Sequence, residues 1–388
     1  MYQHLYSRFL TANPNKQHFA CHSHYFWPDV TRDAQLQYWD DTARYVDEKW
    51  GYFFSDCIPD VQQQIARILN APDPEQIVFA PNTHELLYRI MSCLPSGRPI
   101  RILTTDSEFH SFSRQVARME EAEQVVVTRI PSAPYATFTQ RFIEAINANY
   151  HDLVFFSQVF FNSGVVVEDL PSIVNAVTDS NTQVVVDGYH GFMAKPTDIS
   201  PLAHRAFYLA GSYKYAQGGE GACFAVVPVG CELRPVYTGW YAEFGELSSA
   251  KQGEVKYSKT GMRFAGATMD FSAIYRLRAV LNMLTEEALS VDVINAFIQS
   301  CQQQFLAHID ALKHPLLNRD SLLCHDLSNH GHFLTFALPD AATAARLHDK
   351  LANAGILTDY RAERLRFGFA LYHDPNQYDF SCLSEHAL

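Results

Sequence analysis

The sequence predicts an α/β protein, with a large domain on a mostly parallel sheet sandwiched by helices and a smaller α+β C-terminal domain. Three observations lead there. From Gln76 to Ala210, short apolar runs rich in β-branched and aromatic residues alternate with amphipathic stretches of helical length. That order gives a parallel sheet covered on both faces. From Asp270 the pattern changes to two long helical stretches followed by mixed strand and helix. The length, 388 residues, exceeds what one simple core supports, so two domains are expected.

Taken in order, residues 1–30 read as irregular and rich in aromatic and histidine residues, ending near Pro28. Of the histidines there, His22 and His24 are two apart, with no acidic partner nearby and no HExxH pattern. A metal site is therefore not expected, and His22-Ser23-His24-Tyr25 is better read as a loop lining a substrate pocket. Asp29 to Trp50 reads as an amphipathic helix and Ile58 to Leu69 as a second. A strand, Gln76 to Phe79, leads through Ala80-Pro81-Asn82-Thr83-His84-Glu85 into a helix reaching Cys93. Strand, small polar residues, then helix aims unpaired N–H groups at an anion. An ordinary cap by Asn82 or Thr83, with Glu85 in the first turn, fits these residues equally well.

Strands follow at Ile100 to Thr104, Gln124 to Ile130, Leu153 to Ser157, Val184 to Val186 and Ala206 to Ala210. Between the first four lie helices at Ser113 to Ala122, Phe138 to Asn147 and Leu170 to Thr178. Ligands of such a sheet bind at the carboxyl ends of its strands. Arg234 to Gly266, with its polar stretch Ser248 to Lys259, is long and irregular, which marks a functional or interface loop. Helices at Phe271 to Glu287 and Val291 to Leu312 come next, then a hairpin-like pair at Ser321 to Asp326 and His332 to Leu338. A helix at Ala341 to Ala354 and a strand at Leu365 to Phe369 close the pattern. The divisions expected are an N-terminal segment over 1–50 that packs on the small domain and the site, a large domain over 51–268, and a small domain over 269–388.

The hydrophobic fraction of 47% and charged fraction of 19% are those of an ordinary soluble globular protein. A net charge of −12 argues against nucleic acid or an anionic membrane as partner, since phosphates call for a basic face. The eight cysteines show no CxxC and no paired spacing, so reduced thiols are expected rather than a disulfide scaffold or zinc site. Met1 to Lys16 lacks a basic stretch followed by an apolar core, and no apolar run approaches the roughly 18 residues a bilayer requires. The expected location is cytoplasmic.

The chemistry gathers between Asp187 and Gly221. Val184-Val185-Val186 delivers Asp187 and, three residues on, His190. The run Ala206 to Ala210 delivers Gly211-Ser212-Tyr213-Lys214, followed by a glycine-rich stretch. An acid after one buried strand and a lysine after a nearby one suit a pyridoxal phosphate enzyme. The lysine forms the Schiff base, and the acid keeps the pyridine nitrogen protonated so that the ring can act as an electron sink. Alone, Asp187 reads as a strand end, His190 as a structural histidine and Lys214 as uninformative. Their three roles are complementary, and their joint occurrence is what carries the reading.

The chain resembles the class V aminotransferase group of fold type I pyridoxal phosphate enzymes and is most similar to kynureninases. The likeness rests on Asp187 and His190, Tyr213-Lys214-Tyr215, Gly218-Gly219, Glu48 to Gly51, and Phe79 to Glu85 at the phosphate-binding turn. It extends over Glu108-Phe109-His110, Gln158 to Gly164, Tyr237 to Tyr241, Arg263 to Thr268, His330-Gly331-His332 and Asp359 to Phe369. Kynureninases carry phenylalanine at the ring-stacking position and cysteine desulfurases usually carry histidine, so Phe109 favours the former.

The resemblance implies that Lys214 forms the Schiff base and shuttles the proton at Cα, and that Asp187 pairs with the pyridine nitrogen beside His190. It implies that Phe109 stacks on the ring, and that Asn82, Thr83 and Tyr213 bind phosphate, with Trp240 and Thr268 contributing across the interface of a homodimer. Arg366 would hold the substrate α-carboxylate, for which a planar fork of donors is suited. His22 and Ser23 stand where the family writes Asn-Ser-Leu-Gly, at the substrate pocket. Phe112 and Phe160 to Ser163 also depart from the family pattern, so the substrate is open while the cofactor machinery is intact.

The expected activity on an amino acid runs through a carbanion at Cα, with kynureninase-like hydrolytic Cβ–Cγ cleavage releasing alanine. The alternative is a class V aminotransferase passing the amino group to a keto acid. A cysteine desulfurase or selenocysteine lyase ranks third, weakened by Phe109 and by the absence of cysteine just before Arg366. A fold relic that binds a ligand without catalysis is a further alternative, opposed by the joint presence of Lys214, Asp187 and Arg366.

Overall fold

A computed structural model describes residues 1–243 and 253–384 of the chain. Of the polar stretch expected from Ser248, residues 248–252 lie outside the described residues. The N-terminal region is more ordered than an irregular segment. It forms α1 (Ser7–Ala12) and β1 (Gln17–His18) before α2 (Val30–Tyr45). The single helix expected from Asp29 to Trp50 ends at Tyr45, because Val46 takes φ +50°. A 3₁₀ turn then leads to α3 (Lys49–Tyr52), and a π turn joins it to α4 (Ile58–Leu69). In α4, Val61, Ile65 and Leu69 recur at helical spacing and are buried. Asn70 ends it in the left-handed region, a conformation asparagine tolerates.

The central sheet begins with β2 (Ile77–Ala80) and α5 (Thr83–Met91), continues through β3 (Ile100–Thr105), α6 (His110–Glu121), β4 (Val125–Ile130), α7 (Phe138–Ala148) and β5 (Leu153–Ser157), and then α8 (Leu170–Ala176), β6 (Gln183–Asp187), β7 (Ala206–Gly211) and β8 (Cys223–Val226). Its strand order is β2-β8-β7-β6-β5-β3-β4. All pairs are parallel except those β8 makes with β2 and β7. This is the mostly parallel sheet that the sequence predicts. Every residue of β5 and β7 is buried, which is why both read as unbroken apolar runs. The antiparallel β8 was not foreseen. Its four residues follow the glycine-rich stretch, too short to announce a strand.

The remaining elements are α9 (Ser272–Glu286), α10 (Val291–Leu312), β9 (Phe333–Ala337), α11 (Ala341–Asn353), β10 (Ile356–Leu357), β11 (Asp359–Arg361) and β12 (Arg364–Gly368). A small antiparallel sheet runs β11-β12-β9. Phe336 and Phe367 of one face pack on Phe305 of α10, with ring centroids 6.3 and 4.9 Å away. The strand expected at Ser321 to Asp326 is absent. That stretch makes only an isolated bridge, Leu322 to Phe336, and one bond from Leu323 N to Thr335 O at 3.0 Å.

The N-terminal region reaches across to these elements. β1 pairs in parallel with β10, Gly368 N donates to Phe19 O at 2.6 Å, and α2 lies along α9, where Tyr275 Oη donates to Asp41 Oδ2 at 2.9 Å. Gly368 is required by this docking. A Cβ there would stand 2.5 Å from His22 Nδ1 and 2.9 Å from Cys21 Sγ.

Candidate active site

The carboxyl ends of β5, β6 and β7, with the N-termini of α5 and α6, enclose a cavity of about 200 Å³. Asn82, Thr83, Phe109, Asp187, His190, Tyr213 and Lys214 all line it, joined by Ser157, Phe161 and Tyr189. A larger cleft of about 750 Å³ between α4 and α9 contains none of the residues expected at the site. We take the smaller cavity as the site because the strand ends and the titratable groups converge there.

Lys214 sits on the turn after β7. Gln217 N donates to Lys214 O at 2.9 Å, Gly218 N to Ser212 O at 2.9 Å, and Ser212 Oγ to Gly219 O at 2.6 Å. Gly219 takes φ +72° and packs so closely on Trp27 that a Cβ would lie 2.3 Å from its ring. Arg276 braces the same turn from α9, donating to the carbonyls of Gly218 and Glu220 at 2.8 and 2.6 Å. The buried Lys214 Nζ donates to His22 O at 2.7 Å and stands 5.5 Å from the centre of the Phe109 ring. Burial, reinforced by Arg366 and opposed by Asp187, lowers the Lys214 ammonium to about 7. A neutral nucleophilic amine is thus accessible near neutral pH.

Asp187 ends β6, where its Oδ1 accepts from Tyr189 N at 2.9 Å. Burial raises its carboxyl to about 6, against the pull of the Tyr189 N–H and of Lys214. His190 is buried and held neutral mainly by desolvation, and its Nε2 has no hydrogen-bond partner. Asn82 caps α5, its side chain accepting from Glu85 N at 3.0 Å. The ordinary-cap reading therefore holds for Asn82. The same helix end opens on the cavity with the N–H groups of its first residues unspent. Thr83 Oγ1 lies 3.3 Å from Cys223 Sγ, and Tyr213 Oη 3.3 Å from His24 Nδ1.

Arg366, His22, Ser23, Trp240 and Thr268 are not among the cavity-lining residues. Arg366 is buried one layer away, donating to Phe161 O and to Asp359 Oδ2, while its Nε has no partner. His22 is buried against Phe333, with stacked centroids 4.8 Å apart, and its Nε2 stands 3.6 Å from Asp359 Oδ2. Ser23 is half-buried and bonds through its N–H to Ala20 O at 2.9 Å. Trp240 Nε1 donates to Thr268 Oγ1 at 3.3 Å, both residues being exposed.

Two functional residues had no assigned role in the sequence reading. Asp359 pairs with Arg366, a relation that emerges only once β11 and β12 are in register. Glu108 is buried beside the site, accepting from Thr105 Oγ1 at 2.6 Å and from Ser157 Oγ at 2.5 Å. It clamps the turn that carries Phe109 to the end of β5. Burial raises its carboxyl to about 7 against those bonds, and Asp187 adds to the rise.

The consequence for stability has a definite sign. Between the ordinary 4.5 and about 7, the folded apoprotein keeps a proton that the unfolded chain has lost. Its unfolding free energy therefore falls as pH climbs through that window. Glu108→Gln should remove on the order of 3 kcal/mol of that fall, read as a flatter difference between denaturant unfolding curves at pH 4.5 and 7. An unchanged difference would remove Glu108 from this role.

The residues present suit pyridoxal phosphate. A buried carboxylate accepts just one hydrogen bond among the described residues, from Tyr189 N, and so can take one from a ring N–H. His190 Nε2 lacks a partner, an aromatic ring and a low-pKa lysine face each other, and a helix N-terminus stands at the opposite end for a phosphate. Among the described residues, no group of three or more His, Cys, Asp or Glu stands where it can hold a metal ion. No helix there is long and apolar enough to cross a membrane.

The profile described as aminotransferase class V matches residues 33–358, whereas no curated protein sequence matches the chain. Solved structures share the fold at low identity. C-DES with glycine covalently linked to its pyridoxal phosphate cofactor gives a TM-score of 0.77 at 20% identity, over 94% of each chain. A cysteine desulfurase from Thermococcus onnurineus NA1 gives 0.76 at 16%, covering 94% of this chain and 92% of that one. The Escherichia coli cysteine desulfurase CsdA gives 0.73 at 15%, covering 95% and 94%. With the matched profile spanning most of its length, the chain belongs to the class V aminotransferase family and is a pyridoxal-phosphate-dependent enzyme of that family.

Proposed function

We propose that the protein acts at Cα of an amino acid, with kynureninase-like hydrolytic Cβ–Cγ cleavage as the leading reaction. The observation that carries the amino-acid reading is the buried Lys214 amine, lowered to about 7 between Phe109 and Asp187. Bound pyridoxal phosphate supplies the electron sink that makes the Cα proton labile.

Lys214 attaches through its amine and, once displaced by the incoming amino group, takes and returns the proton at Cα. Asp187 holds the proton on the ring nitrogen, with His190 beside it, and Phe109 covers the ring. Asn82, Thr83, Tyr213 and the open end of α5 hold the phosphate. Trp240 and Thr268, exposed and bonded to each other, contribute from a second copy in a homodimer. Arg366 orients the α-carboxylate, and His22 and Ser23 wall the substrate side.

The hydrolytic reading is supported by Phe109, whose ring stands 5.5 Å from Lys214 Nζ at the position where the resembled kynureninases carry phenylalanine. Transamination is the second reading, supported by the cavity of about 200 Å³, which is small for cofactor, water and an aryl side chain together. Carbon–sulfur cleavage ranks third. C-DES is described as a cystine C–S lyase, and Phe109 stands here where cysteine desulfurases usually carry histidine.

The yellow holoenzyme, incubated with kynurenine or 3-hydroxykynurenine, tests this ordering. Alanine plus an anthranilate, formed without any keto acid, supports hydrolysis. Loss of the visible band that returns only on adding a keto acid supports transamination, and sulfur release from cysteine or cystine, read as sulfide after addition of a thiol reductant, supports the third reading. A colourless protein that takes up no added cofactor removes all three.

A further inference from the structure

The β11–β12 hairpin presents a charged face to the wall of the site. Asp359 lies opposite Arg366 and Arg361 opposite Arg364. Opposed and alternate residues of an antiparallel pair share a face, so three arginines and one aspartate stand on the same side. That side meets the segment beside the cavity. Arg366 Nη1 donates to Phe161 O and Arg364 Nη1 to Asn162 O at 3.5 Å. The Phe161 ring lines the cavity and lies 5.6 Å from Phe109 and 5.7 Å from His110.

One carboxylate is shared by two guanidinium groups. Asp359 Oδ2 accepts from Arg366, its Oδ1 accepts from Arg361 Nη1 at 3.1 Å, and His22 stands 3.6 Å away. Burial raises that carboxyl, but His22, Arg366 and Arg361 outweigh it and hold it well below the usual carboxylate range. The positive charge still exceeds what Asp359 balances. Glu363 approaches only Arg364, at 3.8 Å, and Arg361 is half-exposed. Arg114, one turn along α6 from His110, has no ion-pair partner among the described residues. Desolvation lowers His110, and the positive charges of Arg361, Arg114 and Arg366 lower it further. The whole chain carries a net charge of −12, against which this concentration of cations at one mouth is a local exception.

We propose that Arg361, with Arg114 and His110 beside it, forms a second anion site, and that the substrate is an amino acid whose side chain ends in an anion such as a carboxylate. This rests on the reading of Arg366 as the holder of the α-carboxylate, and it goes with transamination, since neither a four- nor a five-carbon amino dicarboxylic acid has the γ-ketone that hydrolytic Cβ–Cγ cleavage requires. The spacing agrees. With hydrogen bonds of about 3 Å from each guanidinium to one shared carboxylate, their nearest nitrogens stand within roughly 8 Å. That distance suits the two carboxylates of a four- or five-carbon amino dicarboxylic acid, each bonded at one end. Asp359 then sets the separation of the two forks and is the group an incoming dianion must displace or share.

The test uses the holoenzyme and follows the visible band of the bound cofactor during titration with L-aspartate, L-glutamate, their amides L-asparagine and L-glutamine, and L-alanine. The acidic amino acid of preferred length is expected to half-saturate at least ten-fold below its amide. Arg361→Gln should weaken the acidic ligand ten-fold or more relative to L-alanine, and Arg361→Lys should recover part of that loss. Amides binding as well as the acids, or an Arg361→Gln protein that keeps the preference, overturns the second anion site and leaves the amino-acid reading standing. A holoenzyme whose band responds to no amino acid overturns the reading beneath it as well.

Discussion

Lys214→Ala is expected to fold, to lose its yellow colour on dialysis, and to turn over at least about 10⁴-fold more slowly than the parent. The amine serves twice in the proposed reaction, as the nucleophile that attaches the cofactor and as the base at Cα, and no neighbour can replace it. His190 is buried, and desolvation lowers its imidazole well below the usual histidine value. Stability should not suffer, since the substitution removes a cation that burial already disfavours. The same shift gives a pH dependence. Uptake of cofactor by the parent apoprotein should accelerate as pH rises through about 7 and then level off, because only the unprotonated amine has a lone pair to offer. Absorbance after dialysis, unfolding temperature and reconstitution rate check the three parts. A dialysed variant that stays yellow and turns over within ten-fold of the parent would remove Lys214 from the mechanism.

Asp187→Asn should bind the cofactor and yet lose about 10²- to 10³-fold in turnover. Asparagine keeps the size and can still accept from Tyr189 N, the bond Asp187 makes at 2.9 Å, so the end of β6 is undisturbed. What is lost is a negative charge in a site where burial, against the Tyr189 N–H and Lys214, raises the carboxyl to about 6. A cationic ring nitrogen beside it favours the ionised form, and an amide cannot hold that proton in place. Exchange of the Cα proton into heavy water isolates the step from later bond cleavage. Exchange within ten-fold of the parent would show that the acid is structural.

Much of the fold was legible because burial on both faces leaves a plain mark. Leu153 to Phe156 is apolar throughout and Ala206 to Gly211 nearly so, and every residue of both strands is buried. β11 carried no such mark, since Asp359 and Arg361 turn a polar face toward the site. Ser321 to Asp326 was read as one arm of a hairpin-like pair, and against β9 it forms one bridge and one further bond. Asp187, His190 and Lys214 were recoverable because they follow buried strands, whereas Phe109 and Tyr213 came from the family resemblance and Asn82 and Thr83 from a strand-to-helix turn that the resemblance assigned to phosphate. Glu108 was passed over because a glutamate in a turn next to a stacking residue looks solvated. Its burial depends on Ser157 from a strand 49 residues away. The partnership of Asp359 with Arg366 was nearer to reach. A two-residue turn at Ala362-Glu363 puts them opposite each other, a register that the spacing of the arginines permits but does not announce.

The carbonyl that receives the Lys214 amine belongs to a segment with few early partners. Residues 17–25 pair with Ile356–Leu357, accept from Gly368 N through Phe19, and take Leu371 N on Tyr25 Oη, 346 residues away along the chain. Loop closure over such a span yields no contacts until the far partner exists. On the ribosome, the central sheet with its Asp187 and Lys214 can assemble while residues 17–25 still wait for residues not yet synthesised. The cover over the Lys214 amine is therefore complete only once residues 17–25 have met residues 356–371, the longest-range contacts around the site.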